Sequence, residues 1–236
     1  MKRAFLPILL VTALTACSSL PVIRPTAPSA PTAHDFCREI FPQTAWHMVH
    51  SIATEWREGR RGVMMGVVSL APEDKAVDCA LLSIEGLRLF EARHDGRLTV
   101  RRALPPFDRP ALAEGMMADI RLLFFPPPGP PLTVGRLAGG EPVCRYDLPN
   151  GYEDIVRGPS GDVVIQRYDR RNRLVRRAAI TPCHPADAGG LEPVACRIRL
   201  EAFRPVAYRL DLDLVEARPV SDKQRDNALD KEENGP

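Results

Sequence analysis

From Trp46 to Trp56 the chain alternates with a period of two. Trp46, Met48, His50, Ile52, Thr54 and Trp56 fall on one side of an extended strand, and His47, Val49, Ser51, Ala53, Glu55 and Arg57 fall on the other. The same period returns near the end of the chain. Cys196, Ile198, Leu200 and Ala202 alternate with Arg197, Arg199, Glu201 and Phe203, and beyond a turn at Pro205, Tyr208, Leu210, Leu212 and Leu214 alternate with Arg209, Asp211 and Asp213. In such a hairpin Arg197 and Arg199 can oppose Asp211 and Asp213, a contact that sets register more than it adds stability.

Between these two regions Val63 to Leu70 and Ala76 to Ile84 are apolar on both faces and read as buried strands. Turn signals at Glu85-Gly86 and Asp95-Gly96 then separate Leu87 to Arg93 from Leu98 to Ala103. Further strands follow at Val143 to Tyr146, Tyr152 to Arg157, Asp162 to Tyr168 and Arg173 to Ile180, with turns at Asn150-Gly151 and Ser160-Gly161. Two segments have helical spacing instead. Phe36, Cys37, Ile40 and Phe41 share one face of a short helix over 34–41, and Leu112, Met116, Ile120, Leu123 and Phe124 define a longer one. Asp108 can cap the longer helix, Pro110 suits its first turn and Pro126 to Pro128 end it. The expectation is a mainly β (α+β) domain of roughly ten antiparallel strands. A sheet of that size must curl into an open half-barrel, and the central helix is expected on its concave side.

The amino terminus follows a different rule. Lys2 and Arg3 precede an apolar run from Ala4 to Leu14, too short to span a bilayer, and small residues come next. This is the layout of a signal peptide over 1–16. Leu14-Thr15-Ala16-Cys17 resembles the bacterial lipobox, which implies lipid on Cys17, and two or more acyl chains anchor stably where one does not. Ser18 and Ser19 stand where the enteric sorting rule places an inner-membrane aspartate, so the resemblance implies the periplasmic face of the outer membrane. Prolines at 21, 25, 28 and 31 make 17–33 a semi-extended tether. One domain over 34–218 and a flexible polar tail over 219–236 complete the expected organisation.

A net charge of +2 with dispersed arginines speaks against nucleic-acid binding. Of six cysteines, Cys37, Cys79, Cys144, Cys183 and Cys196 remain besides Cys17, an odd number, so at least one thiol stays unpaired within a monomer. Cys183 and Cys196 bracket a loop rich in Pro and Gly and are the first disulfide candidates. His47 and His50 point to opposite faces of a strand, and Cys183-His184 with Cys196 lacks a second close pair, so no metal site is expected. No nucleophile elbow, phosphate loop or His-Glu-x-x-His is present, and neither a cofactor nor catalysis is expected. Trp46, Trp56, Met64, Met65, Met116, Met117, Phe124 and Phe125 supply the large, adaptable apolar groups that a cavity for a hydrophobic ligand needs, though the same residues can simply fill a core. Asp119 and Glu114 interrupt the helix and read as solvated, with pairing to strand arginines as the alternative.

The order of these elements, an amino-terminal helix, a Trp-bearing strand, a meander, an apolar helix ending in Phe-Pro and a second run of strands, resembles the carrier fold of LolA and LolB. The stretches over 82–93 (LSIEGLRLFEAR) and 117–126 (MADIRLLFFP) resemble more specifically an uncharacterised lipoprotein family of that group, whose members often accompany aryl polyene gene clusters. The resemblance implies an outer-membrane lipoprotein that binds or hands over an acyl, lipoprotein or polyene ligand. Its implied partners are the membrane and a periplasmic carrier or biosynthetic protein. LolB acts through an exposed loop carrying an apolar residue, for which Leu70-Ala71-Pro72 is the nearest counterpart. The alternative is a structural lipoprotein that holds a partner enzyme complex at the membrane.

Overall fold

The structure, a computed structural model, describes residues 20–26, 36–56, 59–183 and 194–220. The expected signal peptide over 1–16, Cys17, His184 and residues 221–236 lie outside the described residues. Thirteen strands form one sheet: β1 (Arg24–Pro25), β2 (Trp46–Trp56), β3 (Arg61–Ala71), β4 (Ala76–Leu82), β5 (Arg88–His94), β6 (Leu98–Ala103), β7 (Thr133–Arg136), β8 (Pro142–Leu148), β9 (Gly151–Arg157), β10 (Val163–Asp169), β11 (Leu174–Pro182), β12 (Ala195–Ala202) and β13 (Tyr208–Pro219). A helix, α1 (Pro110–Phe124), joins β6 to β7.

Every pairing is antiparallel, and the spatial order is β1-β7-β8-β9-β10-β11-β12-β13-β2-β3-β4-β5-β6. The last strand therefore sits beside β2 and joins two meanders, while β1 and β6 remain as edges. Twist accumulated over so many strands curls the sheet without closing it, giving an open half-barrel with α1 on the concave side. Arg197 pairs with Asp213 at 2.8 Å and Arg199 with Asp211 at 2.6 Å, in the register the alternating hairpin predicts.

The concave side carries the core. Phe41, Met48, Phe90, Leu122, Ile155, Ile165, Ile198 and Leu200 are fully buried there, and each such side chain contributes about 1.5–3 kcal/mol relative to exposure. The short helical turn at 36–39 brings Phe36 and Cys37 into this core. A disulfide ties Cys37 to Cys144 on β8, a second joins Cys183 to Cys196, and Cys79 is a buried free thiol.

Three details differ from the sequence reading. Asp108 makes no cap: Arg109 occupies the cap position without a side-chain bond, and Pro110 opens the first turn. The strands β1 and β7, each short and carrying Pro or Gly, had no legible alternation. Finally, part of the expected tether is folded. Arg24 and Pro25 pair with Arg136 and Gly135, Thr26 N–H donates to Val134 O at 3.2 Å, and the Arg145 guanidinium donates to Pro21 O at 2.9 Å. An edge strand tolerates Pro25, and Gly135 makes the approach feasible, since a Cβ there would lie 2.2 Å from Arg24 O. At the other end β13 runs to Pro219, and Val220 N–H donates to Ala45 O at 2.8 Å.

Candidate functional site

The register of the sheet arranges its helix-facing side chains in transverse rows. One row runs Cys144, Ile155, Ile165, Ala178, Leu200, Leu210 and Thr54. The next runs Ile180, Ile198, Leu212, Ile52 and Met64. α1 adds Ala113, Met117, Leu122, Leu123 and Phe124 to the same core. A long apolar chain would meet mostly apolar side chains along these rows, with Thr54 the polar exception.

Of the sequence candidates, Trp46, Met117, Phe124 and Phe125 are buried on this side, while Met64 and Met116 are half-buried against the core. Trp56 lies at the end of β2 with its ring 5.5 Å from that of Tyr208. Met65 does not join them. It pairs with Ser51, and its neighbours on that face are Val67 and Ser69, so the period of two turns it to the convex side. That face also bears a shallow open depression lined by Val67, Ser69, Asp78, Cys79, Ala80, Glu91 and Arg101.

One transverse row is polar. Crossing β8, β9, β10, β11, β12, β13 and β2 in turn, it reads Tyr146, Glu153, Arg167, Arg176, Ala202, Tyr208 and Trp56. Arg167 holds Glu153 through Nε at 2.8 Å and a terminal nitrogen at 2.5 Å. Burial pushes the Glu153 carboxyl up, opposed by the Arg167 charge. Asp119 of α1 is buried rather than solvated. Its Oδ1 accepts from Arg176 Nε at 2.8 Å and its Oδ2 accepts from the Tyr208 hydroxyl. Paired carboxylates are the exception to the rule that charges stay outside, and breaking such a pair costs about 3–5 kcal/mol because it strands a charge. Glu114 is exposed.

Two residues beyond Asp119 on α1, Arg121 donates to Lys75 O and to His94 Nδ1, both at 3.2 Å, and stacks over Phe125. Both contacts tie the C-terminal half of the helix to the sheet side. His50 lies under Phe124, the last residue of α1, ring centroids 6.1 Å apart, and is 1% exposed. Its Nε2 and the Tyr146 hydroxyl are buried with no hydrogen-bond partner among the described residues. Burial pushes the His50 imidazole down to about 4. Sequence reasoning passed over Arg167, Arg176, Glu153 and Tyr208, because only register across seven strands places them in one line.

Leu70, the counterpart proposed for an exposed apolar loop residue, is 3% exposed and packed in the core at the end of β3. Among the apolar residues that do reach solvent, Ile84 at 69% and Leu87 at 52% flank the next turn. Gly86 shapes that turn with φ +85°. Among the described residues no group of three or more His, Cys, Asp or Glu is placed to hold a metal, and no helix is long and apolar enough to cross a membrane.

No protein-family model matches the chain, and no curated protein matches it. Its fold is similar to that of a LolA superfamily protein from Nitrosomonas europaea, with a TM-score of 0.52, 15% identity, and coverage of 84% of this chain and 97% of that one. A domain from Vibrio parahaemolyticus assigned to outer-membrane lipoprotein sorting gives 0.47 at 7% identity, covering 84% and 95%. A DUF1329 family protein from Desulfovibrio piger gives 0.47 at 9%, covering 84% and 98%. The open half-barrel with its inner helix is a LolA/LolB-like fold.

Proposed function

We propose that this chain is an outer-membrane lipoprotein, held by lipid on Cys17 at the periplasmic face, that binds or hands over a hydrophobic ligand without catalysis. The ligand class is an acyl chain, the acyl part of a lipoprotein, or a polyene lipid. The observation that carries the reading is the set of apolar rows on the concave side under a helix supplying Met116, Met117 and Phe124. Methionine and aromatic side chains repack around a flexible chain at small cost. The exposed turn bearing Ile84 and Leu87 is the surface that would meet the bilayer or a carrier. A second reading, a structural lipoprotein holding partner enzymes, is favoured by the extent to which α1 already fills the interior, with Met117 only 2% exposed.

The full chain carrying Cys17→Ser separates the two readings. Retained lipid in native mass spectrometry, or saturable binding of a fluorescent acyl probe, is expected of a carrier. If neither is seen and crosslinking instead recovers a stable protein complex, the structural reading replaces it. The anchor has its own check: the native chain should fractionate with membranes and the Cys17→Ser chain should not.

A further inference from the structure

We propose that Arg176 and Tyr208 form a receptor for the anionic headgroup of a fatty-acid-like amphiphile, and that Asp119 of α1 occupies this receptor in the unliganded protein. The inference rests on the carrier reading above and names the headgroup chemistry of its ligand. Arg176 is built to receive an anion. One of its terminal nitrogens donates to Val175 O at 3.0 Å and to Arg204 O at 2.5 Å, which fixes the guanidinium and aims Nε at the concave side. The guanidinium also lies over the Tyr208 ring, 5.6 Å from its centroid. Burial and the neighbouring Asp119 charge push the Tyr208 phenol up, so at neutral pH it remains a hydrogen-bond donor. Two donors from two strands thus converge on one carboxylate, and the carboxylate present comes from the helix.

The placement gives this pair its meaning. Arg176 and Tyr208 belong to the polar row, and the neighbouring rows are apolar. A headgroup on the polar row leaves its alkyl chain along the apolar ones, where α1 now packs. A carboxylate ligand that takes over Arg176 and Tyr208 releases Asp119 and with it the contact that ties α1 to β11 and β13. Binding and helix displacement are then one event, and a neutral amphiphile of the same length, lacking the charge, competes poorly with Asp119.

The test compares laurate with dodecanol, equal in chain length and different in headgroup charge, by isothermal titration into the full chain carrying Cys17→Ser. Asp119→Asn, which keeps the shape of the side chain, is the first variant, and Asp119→Ala is the second. Either should raise the laurate-to-dodecanol affinity ratio by about tenfold or more, the scale of one charge-assisted hydrogen bond. Adding Arg176→Gln to Asp119→Asn should return the ratio to near one. A ratio that is unchanged by Asp119→Asn while both ligands bind overturns the proposal and leaves the pair a structural latch. If neither ligand binds any variant, the carrier reading itself falls and this inference with it.

Discussion

His50 provides a quantitative check on the interior. It lies on β2 opposite Leu214 and Gly66, beneath Phe124, and its imidazole is pushed from the ordinary 6.5 to about 4 by burial. The unfolded chain takes up a proton as pH falls below about 6.5, whereas the folded chain does not until about 4. Stability from the neutral ring is therefore complete above 6.5 and is lost as pH falls through that window. At about 1.4 kcal/mol per unit, the loss reaches about 2 kcal/mol at pH 5 and about 3 kcal/mol at pH 4. His50→Leu has a side chain of similar volume and removes both the titration and the unpartnered Nε2, so at pH 7.5 it should match the parent within about 1 kcal/mol. Urea unfolding at pH 7.5 and pH 5 measures the difference, and carboxylates that titrate in the same range affect both proteins alike. The parent should lose about 2 kcal/mol more than His50→Leu between the two pH values. Equal losses would show that the ring is solvated or paired, and the account of a dry interior at this position would fail.

Three further outcomes follow from the fold. Replacing Cys37 and Cys144 by serine opens a crosslink spanning 107 residues and should cost about 4–5 kcal/mol in urea unfolding, against about 3 kcal/mol for the Cys183 and Cys196 pair with its separation of 13. Gly135→Ala places a Cβ against Arg24 O, so hydrogen exchange should rise at residues 23–26 while β8 to β13 stay protected. Burial raises the Cys79 thiol to about 12, so it should resist a thiol reagent at pH 8 in the native protein and react after urea is added.

The strands that could be read from the sequence are those with one buried face. In β2 and in the β12–β13 hairpin the burial difference between faces imposes alternation, and Arg199 and Asp211 confirm the register. The central helix was equally legible, because its apolar spacing and bounding prolines act locally. The strands β1 and β7 were not, since segments of two and four residues are too short to show a period. Asp119 was misread for a related reason. Its partners are 57 and 89 residues away, and nothing near it on α1 distinguishes a buried carboxylate from a solvated one. The polar row has the same character: Glu153, Arg167 and Arg176 each look like an ordinary strand charge until their strands are laid side by side. Met65 shows the limit of composition, since adjacent methionines on a strand necessarily face opposite ways.

The folded stretch at 20–26 changes how far the domain travels. Only Ser18 and Ser19 separate Cys17 from Leu20, and three residue steps of 3.3–3.6 Å span about 10 Å when fully extended. With the proposed acyl chains on Cys17, the β1–β7 edge would ride beside the lipid headgroups, and Arg24 and Arg136 on it are both exposed. On the proposed anchor the half-barrel would be a fixture on the bilayer and not an arm sweeping the periplasm, and the proposed ligand would have to be delivered to it at the membrane surface.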